Sequence, residues 1–110
     1  MAGSVETRIV QGHARVALIG RIDHRSRPAF RQGADQVLRD RRLGSITVDL
    51  RGATALDGVT LGLILLMRDH ARQCGVPFGL ASPGGDLDEA LVLAGLSSEA
   101  HARREVAWAA

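Results

Sequence analysis

The sequence predicts an α/β fold: a mixed β-sheet of four to five strands with helices packed on it, in the order β-β-α-β-α-β-α. Three observations predict it. The chain opens with two runs, 5–11 and 14–22, in which apolar and polar residues alternate on either side of a glycine-bearing turn. A short β-branched run, 45–50, lies between Gly44 and Gly52 and has the character of an interior strand. Segments with helical apolar spacing follow the second and third strands, and proline and glycine stand where helices start and stop.

Each element follows from local chemistry. Val16 and Leu18 alternate with Ala17, Ile19 and Arg21, and Gln11-Gly12-His13 is a hairpin-sized turn. Asp23 to Ser26 is a loop, with Ser26 as helix N-cap and Pro28 in the first turn. The helix runs to about residue 41 and buries Phe30, Ala34, Val37 and Leu38. After the 45–50 strand, Arg51 to Asp57 reads as a connection, with Leu56 tucked inward. A second helix starts at Gly58 or Val59 and runs to Gln73, with Gly75 at its C′ position and Pro77 beyond. It is apolar nearly all round through Met67, so it is expected to be mostly buried. Val76 to Ala81 is a strand, and Asp86 caps a third helix over 86–95 that stops at Gly95. For 97–110 the pattern leaves helix, strand and tail open. The expected organisation is one domain over 1–110, with its core in about 5–96.

Composition narrows the function. The chain has 110 residues, 45% hydrophobic and 24% charged, which is globular usage and excludes a disordered or collagenous chain. The longest apolar run, Leu61 to Met67, falls far short of the roughly 20 residues a membrane helix needs. The opening residues lack a basic stretch followed by an apolar one, so the expectation is a soluble, cytoplasmic protein that does not span a membrane. All fourteen basic residues are arginine. Ten of them stand against five acids in residues 1–55, and four against seven in 56–110, a basic front and an acidic back. Nucleic acid is a poor fit, because Phe30, Phe78 and Trp108 are the only aromatics and offer no stacking platform.

The family resemblance rests on three segments. Ala17-Leu-Ile-Gly-Arg-Ile-Asp23 is an apolar strand closing in Gly-x-hydrophobic-Asp. Ile46-Thr-Val-Asp-Leu50, Ala53-Thr-Ala-Leu-Asp57 and Leu61-Gly-Leu-Ile-Leu65 give strand, Asp-Leu, a short connection, Asp, three variable residues and Leu-Gly in a helix start. Ala71 to Gly75, Phe78 to Ser82 and Leu91 to Leu96 complete the series. In this order and spacing the chain resembles the STAS family, the domain of bacterial anti-sigma factor antagonists and of sulfate-transporter tails. In phosphorylated members the segment after the Asp reads Ser-Ser-Gly-Leu-Gly, and the second Ser takes the phosphate. Here it reads Gly58-Val59-Thr60-Leu61-Gly62, so Val59 stands at the acceptor position and Thr60 where the family has Gly.

The resemblance implies a non-catalytic protein-interaction module that contacts its partner through Asp23, Asp57, Gly58, Val59, Thr60 and Leu61. The implied partner is an anti-sigma factor or serine kinase. The alternative is an adaptor for an ABC-type transporter ATPase or a polysaccharide-export or biosynthesis subunit. Read from the residues alone, Asp57 or Thr60 caps the second helix, and Thr60 is the one candidate phosphoacceptor nearby. Asp23 and Asp57, both following strands or near-strands, are expected at the same end of the sheet, with Asp23 bonding amides of its own loop. His13, His24, His70 and His101 have no ligand spacing with one another or with Cys74, so neither metal nor cofactor is expected. Cys74 is expected to be a half-buried packing residue, and the oligomeric state a monomer or weak homodimer.

Overall fold

The computed structural model describes residues 3–40 and 42–81. Two strands open the chain, β1 (Ser4–Val10) and β2 (His13–Ile22), paired antiparallel from Ser4↔Ile19 to Val10↔His13. Gln11 and Gly12 join them, both at positive φ (50° and 78°). That is the mirror-image two-residue turn whose twist matches a hairpin. Helix α1 (Arg27–Arg39) then crosses over to β3 (Ser45–Asp49), which lies parallel to β2. Helix α2 (Gly58–Gln73) leads to β5 (Phe78–Ala81), parallel to β3.

Between β3 and α2 the chain forms a further strand, β4 (Ala53–Leu56), where the sequence suggests only a connection. The cause is tertiary. β2 has ten residues, β3 has five, and β3 pairs only with residues 13–17 of β2. The far half of β2 would be left without a partner on that side. After a turn closed by Ala53 N–H to the Leu50 carbonyl (3.0 Å), β4 runs along it, pairing Gly20↔Ala53 and Ile22↔Leu56. The register shifts between Gly20 and Arg21, and Gly20 takes φ +79°, a bulge conformation suited to glycine. Among the described residues the sheet thus has five strands, in the order β1-β2-β3-β5 with β4 beside the end of β2.

Both helices pack on one face. Val16, Leu18 and Ile22 of β2, Ile46 and Val48 of β3, and Leu80 of β5 meet Phe30, Ala34 and Val37 of α1 and Ile64, Met67 and Ala71 of α2. Ser26 sits at the N-cap of α1 as expected but makes no side-chain cap bond. Its hydroxyl donates instead to the Gly3 carbonyl (3.3 Å) and ties the helix start to the beginning of the chain. α1 ends at Arg39, before residue 41, and α2 spans the expected residues, with Gly75 at φ +71° after the C-cap Cys74. The third helix over 86–95 and the 97–110 segment lie outside the described residues.

All five residues of β3 are buried, so its second face is buried as well as the one under the helices. Asp49 stands there, 4% exposed. Arg15 donates to it from Nε (3.0 Å) and Nη2 (2.6 Å), and Arg51 from its backbone N–H (3.0 Å), Nε (3.0 Å) and Nη2 (2.9 Å). A buried carboxylate is tolerable only with such partners. Burial pushes its pKa up, but the Arg51 and Arg15 bonds outweigh it and bring the group down to about 2.

Candidate functional site

The chain leaves β2 at Ile22 and β4 at Leu56 side by side, since the two strands run parallel. Asp23 and Asp57 therefore emerge at the same end of the sheet, and the Asp57 N–H donates to the Ile22 carbonyl (3.2 Å). Asp23 Oδ1 accepts the Arg25 backbone N–H (3.0 Å), an Asx-type turn, and the Arg25 guanidinium closes on both oxygens (3.2 and 2.9 Å). Those bonds hold its carboxyl at a pKa of about 2. Asp23 is thus spent on shaping the β2–α1 loop.

Asp57 is the N-cap of α2, in the extended conformation such a residue takes. Its Oδ1 accepts the Thr60 N–H (2.9 Å) and the Thr60 hydroxyl (2.6 Å). Its Oδ2 accepts Arg27 Nη2 (2.6 Å) from the first turn of α1. The Thr60 bonds, with Arg27 after them, hold its pKa below the usual carboxylate range. The arrangement joins both helix starts to the sheet end through one carboxylate. No local pattern marks Arg27 for this role, because thirty residues separate it from its partner.

Thr60 is fully buried at 0% exposure, on the same stripe as Ile64, Met67 and Ala71. Gly58 is exposed, Leu61 is half-buried, and Val59 stands 49% exposed in the first turn. Along the helix from Val59, Leu63 is half-buried and Leu66 is 64% exposed. These three recur at i, i+4 and i+7 and make one outward apolar stripe. The expectation of a mostly buried α2 is corrected here: the sheet and α1 take one face, and the opposite face keeps Val59 and Leu66 in water. Nothing in the sequence singles out Leu66, because on a helix apolar all round no pattern marks which stripe turns outward. Between this stripe and α1 runs a groove of about 330 Å³, walled by Leu38, Leu63, Leu66 and Met67 and edged by Arg31 and Asp35.

A larger cavity of about 460 Å³ lies at the opposite ends of the two helices, lined by Val37, Leu43, Ile46, Ala71, Cys74 and Val76. Cys74 is exposed rather than half-buried, with its Sγ 3.6 Å from His70 Nε2. At the C-cap its side chain has left the helix stripe that faces the sheet. His13 is half-buried and bonds the Ser45 hydroxyl (2.7 Å). Among the described residues no three His, Cys, Asp or Glu side chains gather to hold a metal, and no helix is long and apolar enough to cross a membrane.

The sheet order, the helix start after an Asp cap and the apolar face beside it define a STAS-type domain. The comparisons agree. Residues 5–100 match the family described as "Mlab, STAS domain", and the chain belongs to that family. A STAS-domain containing protein of Pseudomonas aeruginosa is 34% identical over 79 residues, covering 71% of this chain and 75% of the relative. The fold matches that of an anti-sigma factor antagonist from Mycobacterium paratuberculosis (TM-score 0.73, 21% identity, 88% of this chain and 81% of that one). It also matches the Bacillus cell fate determinant SpoIIAA in its phosphorylated form (TM-score 0.72, 14% identity, 86% of each chain).

Proposed function

We propose that this chain is a protein-docking module of the anti-sigma factor antagonist type. It binds a partner-switch kinase or anti-sigma factor in the cytoplasm through the start of α2, and it needs no cofactor and performs no chemistry of its own. The observation that carries the reading is Val59, an apolar side chain held half in water in the first turn of α2 at the position of the family's phosphoserine. Exposed apolar residues rimmed by polar ones mark protein contacts. Gly58 and Leu61 extend the contact, Asp57 and Thr60 fix the helix start beneath it, and Asp23 shapes the adjoining loop.

Binding of this kind is constitutive. Val59 has no hydroxyl, and the Thr60 hydroxyl is buried and donated to Asp57. That same observation favours a second reading, an adaptor subunit of an ABC-type transporter ATPase or a polysaccharide-export system, in which docking needs no phosphate cycle.

The test uses the purified chain and the candidate partners encoded beside its gene. Val59→Asp puts an unpaired charge into the contact and is expected to weaken binding by about 2–4 kcal/mol in calorimetry. Normal binding by Val59→Asp sinks the surface assignment. Phosphate found on Thr60 by mass spectrometry after incubation with a partner kinase and ATP sinks the constitutive reading. Binding to an ATPase subunit, and not to an anti-sigma factor, selects the second reading.

A further inference from the structure

Among the described residues β1 is the end strand of the sheet, with β2 as its one neighbour. It pairs with β2 over seven consecutive residues without a bulge and contains neither proline nor glycine. Proteins that keep such an edge solitary usually shorten, kink, break or charge it, and here the two charges, Glu6 and Arg8, are of opposite sign. Its sequence, Val5-Glu6-Thr7-Arg8-Ile9, has a further property. Reversed about Thr7 it keeps its chemistry: Val5 exchanges with Ile9, and Glu6 with Arg8.

We propose that β1 is a dimerisation edge, and that its occupant is a second copy of this chain, paired antiparallel about Thr7. In that register Glu6 of each copy lies directly opposite Arg8 of the other, and Val5 opposite Ile9. Opposed cross-strand residues share a face. The two-fold axis stands perpendicular to the sheet, so one continuous sheet carries the helices of both copies on the same side. A slip of two residues sets Glu6 against Glu6 or Arg8 against Arg8, so charge selects the register.

Helix α1 supplies an independent argument. It packs across both β1 and β2, with Gly33 so close to Thr7 that a Cβ there would lie 2.4 Å from the hydroxyl oxygen. Strands about 4.8 Å apart then bring the two α1 axes to about 10 Å, the separation of packed helices. The side of α1 toward α2 is marked by Arg31 and Asp35 at the groove. Helical geometry turns Ala29, Gln32 and Gln36 to the other side, over the β1 edge, and all three are exposed. A helix with three arginines and an aspartate thus shows an uncharged side where its copy would lie.

Sedimentation equilibrium of the full chain, up to roughly 1 mM, tests this. The expected result is a reversible dimer. Glu6→Arg alone and Arg8→Glu alone each create like-charge pairs at the exposed edge and should weaken it about tenfold or more. An equimolar mixture of the two restores opposite charges across the dyad and should recover association as the mixed dimer. Gln36→Arg, an exposed substitution that leaves the strand untouched, should also weaken the dimer. Circular dichroism confirms that each variant is folded. A wild-type chain that stays monomeric overturns the proposal. So does a dimer indifferent to the charge reversals or to Gln36→Arg, or a mixture that fails to associate.

Discussion

Asp57 accepts from three donors at once, and each belongs to a different structural task. The Thr60 N–H is one of the unpaired amides at the start of α2, the Thr60 hydroxyl is a buried polar group, and Arg27 is the first residue of α1. Removing the carboxylate therefore releases a cap and strands a hydroxyl. Asp57→Ala is expected to cost about 1–2 kcal/mol in urea denaturation, the range for a lost N-cap. Thr60→Val keeps the side chain's volume and loses only the donated bond, for about 1 kcal/mol. The double variant should cost less than the two singles together, because both remove the same bond. Strict additivity would show that the Thr60 hydroxyl has no stake in Asp57. The sequence reading reached this cap, since an Asp three residues before a Thr at a helix start is a local pattern. It could not reach Arg27, or the depth at which Thr60 is buried, because both depend on how the two helices lie together.

The docking face proposed above lies on helix α2, and a glycine on that side offers a test of how close a partner comes. A Cβ built on Gly62 meets nothing within 4 Å among the described residues, and the residue lies one turn beyond Gly58 on the Val59–Leu66 side. A glycine in a helix interior costs about 0.5–1 kcal/mol relative to alanine. Gly62→Ala is therefore expected to raise thermal stability of the free chain by about that amount while weakening partner binding, because the methyl group holds the partner's backbone away. A variant both more stable and equally tight would place the contact elsewhere on the helix. The boundaries of α2 were legible because Asp57, Gly75 and Pro77 act locally. The same holds for the β1–β2 hairpin, whose alternation and Gly12 turn lie within a few residues. β4 was not legible. Ala53-Thr54-Ala55-Leu56 has one β-branched residue and no alternation worth reading, and it is a strand because β2 outruns β3. Leu66 was missed for a related reason: exposure on an apolar helix is decided by what packs on it, not by its own pattern.

Across the whole molecule, four arginines of the basic front half hold carboxylates, three of them on acids of the same half and Arg27 on Asp57 of the other. Arg15, Arg25, Arg27 and Arg51 are bonded to Asp49, Asp23 and Asp57, all at the trailing ends of β3, β2 and β4. The charge asymmetry of the sequence is in this part an internal network, which explains why a basic front need not signal nucleic acid. The network sets the acid limit of the fold. All three carboxylates have folded pKa values below the ordinary one, Asp23 and Asp49 at about 2. Between about pH 4 and pH 2 the unfolded chain therefore binds more protons than the folded one, and stability falls as pH falls. Above about pH 4 both states are ionised and the contribution is fully present. The three sites do not weigh equally. The Asp23–Arg25 pair stands in water with Arg25 57% exposed, and pairs of that kind contribute little. The Asp49 side chain is 5% exposed, against 21% for Asp23, and with Arg51 itself 62% exposed its share is about 1–2 kcal/mol. Asp49→Asn should accordingly lower stability at pH 7 and flatten the loss between pH 4 and pH 2, whereas Asp23→Asn should leave the stability–pH curve nearly unchanged. Urea denaturation across that range reads both. A curve for Asp49→Asn as steep as that of the unsubstituted chain would mean that the acid sensitivity arises outside the β3 carboxylate, and the buried Asp49, held by Arg15 and the exposed Arg51, would lose its place as the fold's pH-sensitive joint.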